Sequence, residues 1–191
     1  MRTRKIGLVC FFAFGLLVCG CAVTPEKPKG KAVLSIDSND AIAVMKEKDS
    51  SIQKFFDKSY GYAVLPKVFK GAFVAGGAYG KGEVYEQGEM VGYCDMTQAT
   101  LGFSFGGEFF REIVFFRDKE DLDKFKSGEF TFSAQVTGVV LKAGAAAKAD
   151  YKAGMAVFIA ADSGLMVDAS LGGQKFSYES KVILKKAEHL K

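Results

Sequence analysis

Histidine is almost missing from this 191-residue chain: its one copy, His189, stands third from the end. Chain ends are commonly poorly ordered, so a Cys–His or Ser–His pair has little to draw on. Cysteine is scarce as well. Cys10, Cys19 and Cys21 crowd the beginning, which leaves Cys94 alone in the rest of the chain. A lone thiol closes no internal disulfide, so the chain is not a disulfide scaffold, and Cys94 reads as a small buried hydrophobe. The apolar run from Ile6 to about Val18 falls short of the roughly 20 residues that a membrane-spanning helix needs. An excess of one charge is also lacking. Three of the 26 basic residues (Arg2, Arg4 and Lys5) and none of the 22 acidic ones precede Cys21, leaving 23 basic against 22 acidic side chains. That balance argues against a nucleic-acid partner, which requires a basic stripe.

What the start of the chain does contain is an ordered sequence of features. Arg2, Arg4 and Lys5 form a positive segment, the apolar run follows, and Val18-Cys19-Gly20-Cys21 closes it. This is the layout of a signal peptide. A cysteine directly after a small glycine resembles the lipobox of bacterial lipoproteins. The resemblance implies cleavage after Gly20 and lipidation of Cys21, with Cys19 disfavoured by the β-branched Val18 before it. Ala22, rather than aspartate, follows the cysteine, which in enterobacterial lipoproteins favours the outer membrane. The expected placement is a lipid-anchored domain facing the periplasm. Two or more acyl chains make a stable anchor.

The chain is expected to divide into a signal peptide (1–20), a flexible tether (21–36) and one domain (37–191). Proline, lysine and glycine between Ala22 and about Ser35 supply the tether. Asp37 to Asn39 offer caps for a helix through about Glu47, and Ser50 or Ser51 for a second bearing Ile52, Phe55 and Phe56. Strand patterns then take over: Gly61 to Leu65 with Pro66 closing the strand, Ala72 to Tyr85, Leu101 to Phe105 ahead of a Gly106-Gly107 turn, and Ile113 to Phe116. Asp118 caps a helix from Lys119 to Lys126, which Gly128 stops. Further alternation runs over Phe130 to Val136, Ala147 to Tyr151 and Leu165 to Leu171, and Ala156 to Ala161 reads as buried. The fold class is α+β: a strongly curved, mostly antiparallel sheet or barrel-like core, with short N-terminal helices and one short helix near 119–126. Glycines inside strand patterns signal the bulges that curve it.

Several segments in this order resemble the SYLF domain family. Tyr60-Gly61-Tyr62-Ala63-Val64-Leu65-Pro66-Lys67-Val68-Phe69-Lys70-Gly71 resembles its opening signature, and Gly76 to Gly82 continues it. Thr100 to Gly107, Val114 to Arg117 with the acidic helix, and Phe130 to Ala134 keep the family's order, and Ser163 to Gly173 resembles its closing signature. The match covers about residues 41–178. The resemblance implies a lipid-binding module and no catalysis; eukaryotic members bind phosphoinositides and fungal ones are labelled actin-binding. Two departures remove arginines that the family often carries: Ala78 stands in the glycine-rich strand, and 142–148 lacks a glycine-arginine pair.

The candidate lipid-headgroup residues are Lys67 and Lys70, which flank Phe69, and Lys142, Lys148 and Lys152 around Tyr151. Lysines among aromatics suit anionic headgroups, each worth on the order of 1 kcal/mol near a charged surface; they also suit an ordinary solvated face. Gly76 to Gly82 lacks the Gly-Lys-Ser/Thr ending of a phosphate loop. Asp118, Glu120, Asp121 and Asp123 do not follow a calcium loop and fit the electrostatics of a helix start. No cofactor and no metal are expected. The expected partner is membrane lipid, either anionic phospholipid or the lipid A region. The alternative is an envelope lipoprotein with a protein partner and no lipid site beyond its own anchor.

Overall fold

The computed structural model describes residues 28–72, 75–101, 106–128, 138–162 and 173–182. Cys21, the signal peptide, the start of the tether, and the strand patterns at 130–136 and 165–171 lie outside the described residues. The elements are α1 (Pro28–Lys48), α2 (Gln53–Lys58), β1 (Gly61–Ala72), β2 (Ala75–Glu86), β3 (Glu89–Leu101), β4 (Gly106–Phe116), α3 (Lys119–Lys126), β5 (Val139–Val140), β6 (Met155–Ala161) and β7 (Gln174–Ser180). They form one seven-stranded sheet in the order β5-β6-β4-β1-β2-β3-β7. Every pairing is antiparallel except β5 with β6. Among the described residues the sheet is open, an α+β fold with a curved sheet.

The curvature follows from β1. This strand is central, and a proline there forfeits a ladder hydrogen bond. The expectation that Pro66 ends the strand fails because a bulge absorbs it: the register shifts between Val64 and Lys67 against β2, and between Leu65 and Val68 against β4. Leu65 and Val68, three apart, both enter the same core. The strand bends there and continues to Ala72. Strand β7 is separated from β4 by three strands, yet Gln174 Nε2 donates to a Glu112 carboxylate oxygen at 3.1 Å. The sheet therefore curls until side chains of distant strands meet.

Helix α3 covers the inside of the curl, where Leu122 and Phe125 join Leu65, Val114, Phe116, Met155 and Phe176. The opposite face packs under α1 and α2, with Ala41, Met45, Ile52 and Phe55 against Ile113, Phe115 and Phe158. The rings of Phe55 and Phe158 stand 4.7 Å apart. Strand β6 is buried on both faces, which is why it reads as an unbroken apolar run.

Helix α1 starts nine residues before the expected Asp37, so the second half of the segment read as a tether is helical. Proline is well suited to a first helical position, and Leu34, Ser38, Ala41 and Met45 then form one buried stripe at helical spacing. The second cap is Asp49 rather than a serine: its carboxylate accepts from Ser51 N and from the buried Ala146 N at 2.7 Å. Gly106-Gly107 opens β4 instead of making a turn, and Ala147 to Tyr151 is a 3-10 turn and loop instead of a strand. Helix α3 matches its expected bounds, with Asp118 accepting from Asp121 N at 3.0 Å. Among the described residues, no helix is long and apolar enough to cross a membrane.

Candidate functional site

Strand alternation decides which lysines can act together. Lys67 and Lys70 are three apart, so they lie on opposite faces of β1. Lys70 shares the face of Val68; its side chain is 14% exposed and its Nζ lies 3.5 Å from Glu108. Lys67 is exposed on the α1 face, where its Nζ sits 4.6 Å above the Phe109 ring. The structure does not bring the two together.

It brings Lys67 to a different lysine. Lys81 of β2 is its direct cross-strand partner. Like charges at such a position are unfavourable, and Asp95, opposite Lys81 on β3, offsets part of the cost. The next rung on the same face is aromatic: Tyr79, Phe69 and Phe109 stand side by side on β2, β1 and β4. They are 37%, 48% and 40% exposed, and the Phe69 and Phe109 rings are 5.2 Å apart. The rung beyond is Gly77, Gly71 and Gly107. A Cβ on Gly107 would stand 2.8 Å from the Phe69 ring, so glycine there lets the ring lie down on the sheet.

A groove of about 310 Å³ runs between this face and α1, lined by Leu34, Asp37, Pro66, Lys67, Phe69 and Phe109 among others. Val33 and Ile36, on the same turns of α1, are exposed. Three of the six large apolar side chains exposed among the described residues, Phe69, Tyr79 and Phe109, thus belong to this one rung. Clustered apolar exposure marks an interaction surface; scattered exposure does not.

Lys142, Lys148 and Lys152 are exposed but lie elsewhere. Lys142 follows β5 at the sheet's edge. Lys148 and Lys152 line a second depression of about 290 Å³ together with Asp150, Val139 and Met155. Met155 pairs with Phe116, at the end of β4 remote from Phe109. Tyr151, read as the aromatic of this cluster, turns inward instead, its ring 5.3 Å from Phe55.

The remaining titratable groups are built into the fold. Burial raises the pKa of Glu83, which accepts a hydrogen bond from Tyr85 Oη at 2.7 Å. Glu112 is wholly buried, and desolvation pushes its carboxyl up to about 7 against the hydrogen bond from Gln174. Cys94 is fully buried, and desolvation drives its thiol far up. Along α3, Asp123 pairs with Lys119 and Glu120 with Lys124, each one turn apart. Among the described residues, no group of three or more His, Cys, Asp or Glu side chains is placed to hold a metal ion.

Sequence reasoning missed Lys81, Tyr79 and Phe109. A signal for the aromatics is present: Phe69, Tyr79 and Phe109 each stand two residues from a glycine, at Gly71, Gly77 and Gly107. What the sequence does not display is that three such segments align in register.

Fold and face together define a class: a curved α+β sheet with a basic rung beside an exposed aromatic one. No protein-family model matches the chain. Among curated proteins, Beta cell expansion factor A of Aeromonas veronii is 27% identical over 156 residues. That match takes in 81% of this chain and 59% of the relative, so the chain spans less than two thirds of the relative's length.

Proposed function

We propose that this is an envelope lipoprotein, anchored through Cys21 in the outer membrane and facing the periplasm, whose SYLF-like domain binds anionic phospholipid. The observation that carries the reading is the pair of adjacent rungs, Lys67–Lys81 and Tyr79–Phe69–Phe109, on one exposed face. Lysines of this kind attract anionic headgroups, tyrosine is at home at a membrane interface, and the two phenylalanines add apolar area beside it. The co-linear SYLF-like motifs support the same reading, and 27% identity to the relative over most of the chain is compatible with it. Binding rather than catalysis fits the burial of Cys94, whose raised pKa keeps it protonated.

Charge variants test the reading by face. Lys67→Glu with Lys81→Glu should weaken co-sedimentation with anionic vesicles about thirtyfold at low salt, since two surface lysines contribute on the order of 2 kcal/mol. Lys70→Gln, on the other face, should change it little. Equal losses in both variants, or none in either, would sink the proposed face. Capture of a stoichiometric envelope protein by a domain that ignores vesicles would favour the protein-partner alternative.

A further inference from the structure

We infer that the basic-aromatic face docks on the same bilayer that holds the Cys21 anchor, and does not reach a second membrane. This rests on the lipoprotein reading above and adds to it the orientation of the domain. The course of α1 carries the argument. Leu34 and Asp37 line the groove beside Phe69 and Phe109. One turn on, Asp40 lies 3.7 Å from Arg111 of β4. Ala41 and Met45 then pack with Ile113 and Phe115. Just past the helix, Asp49 accepts from Ala146 N beside the Lys148 loop. Helix α1 therefore lies over β1 and β2 and runs in the same direction as β4, and its first residue, Pro28, lies toward the Gly106 end of the sheet, the end that carries the aromatic rung.

Lengths turn that course into an orientation. Seven residue steps separate Cys21 from Pro28, and they reach at most about 25 Å when fully extended. The groove begins at Leu34, about 9 Å along the helix from Pro28. The Lys148–Lys152 end lies beyond the far end of a 21-residue helix, about 30 Å away. To press that end on the bilayer, the link would have to run back along the whole of α1, farther than it can stretch. The aromatic end is within reach without strain. Phe69, Tyr79 and Phe109 supply apolar contact there, and Lys67 and Lys81 supply positive charge. Joined to the anchor by so short a link, the face meets headgroups at an effective concentration on the order of millimolar, so weak intrinsic affinity suffices.

The chain has no tryptophan, so single reporters can be placed at will. The full lipidated chain bearing Phe109→Trp is reconstituted into vesicles of phosphatidylglycerol with bromine-bearing acyl chains. A second sample bears Ala147→Trp, at an exposed position of the opposite end. The Phe109→Trp reporter should be quenched at least about twofold by bromines in its own vesicle, because an interfacial face buries roughly 5–10 Å into the headgroup boundary. It should be unaffected when only an added second population carries bromine, and the Ala147→Trp reporter should be quenched in neither case. Quenching from the second population alone, quenching at Ala147→Trp instead, no quenching at all, or a mass showing no acyl group on Cys21 would each overturn the inference. Equal quenching in bromine-bearing phosphatidylcholine would uphold the orientation while removing headgroup charge from the account.

Discussion

Replacing Glu112 by glutamine should make the domain more stable at pH 8 and leave it nearly unchanged at pH 4.5. Glu112 lies on β4 in the floor of the curl, paired in register with Leu65 and Ile159 and fully buried. One carboxylate oxygen accepts from Gln174 Nε2 at 3.1 Å; the other has no hydrogen-bond partner among the described residues. Desolvation therefore outweighs that single bond and carries the carboxyl from 4.5 to about 7. The sign follows from linkage: between these values the folded state holds a proton that the unfolded state has released, so stability falls as pH rises and levels off above about 7. A shift of this size corresponds to roughly 3 kcal/mol, a large part of the 5–15 kcal/mol typical of a domain. Glutamine keeps the shape and the acceptor for Gln174 and cannot ionise. Glu83 and Asp95, raised chiefly by burial, tilt both proteins' curves alike and cancel in the difference. Urea unfolding of both proteins from pH 4.5 to 8 reads this directly. The curves should meet at the acid end and diverge by roughly 3 kcal/mol at the other. Parallel curves, or a variant that loses stability at pH 8, would refute the reasoning.

Two further outcomes follow from the cores. Phe158→Ala opens a cavity among Phe55, Phe115 and Ala41 and should lower unfolding free energy by about 3–5 kcal/mol in chemical denaturation. Cys94, fully buried with its thiol pKa driven up, should resist a thiol reagent in the folded domain and react once denaturant unfolds it; rapid native labelling would contradict that burial.

The elements that the sequence displayed were those whose signals are local. Helix α3 carries its own cap, apolar pair and stop in the eleven residues from Asp118 to Gly128, and its bounds matched. Strand β6 is buried on both faces, so its apolar run needed no partner to be read. Helix α1 was misread at its start because Lys29-Gly30-Lys31 has a linker's composition; its buried stripe from Leu34 becomes meaningful only against the sheet. Pro66 misled for a similar reason, since a bulge that accommodates proline depends on two neighbouring strands. Strand β7 was not anticipated, and its buried Gln174, like Asp95 and Gln98 of β3, shows why: curling buries polar positions in a way no alternation pattern announces.

For the site, Lys67 and Phe69 were legible as a basic residue near an aromatic. Their companions were not, because Lys81, Tyr79 and Phe109 come from other strands and join them only through register. Lys70 looked equivalent to Lys67 in sequence, and the pleat sends it to the other face to meet Glu108.

Whether the domain itself reads headgroups is tested most directly by co-sedimentation of residues 22–191, without the acyl chain, with neutral and anionic vesicles across a salt series. Binding to anionic vesicles should weaken as salt screens Lys67 and Lys81, with little binding to neutral ones. A domain that stays in the supernatant with both, at every salt concentration, would contradict it and leave Cys21 as the chain's sole proposed contact with lipid.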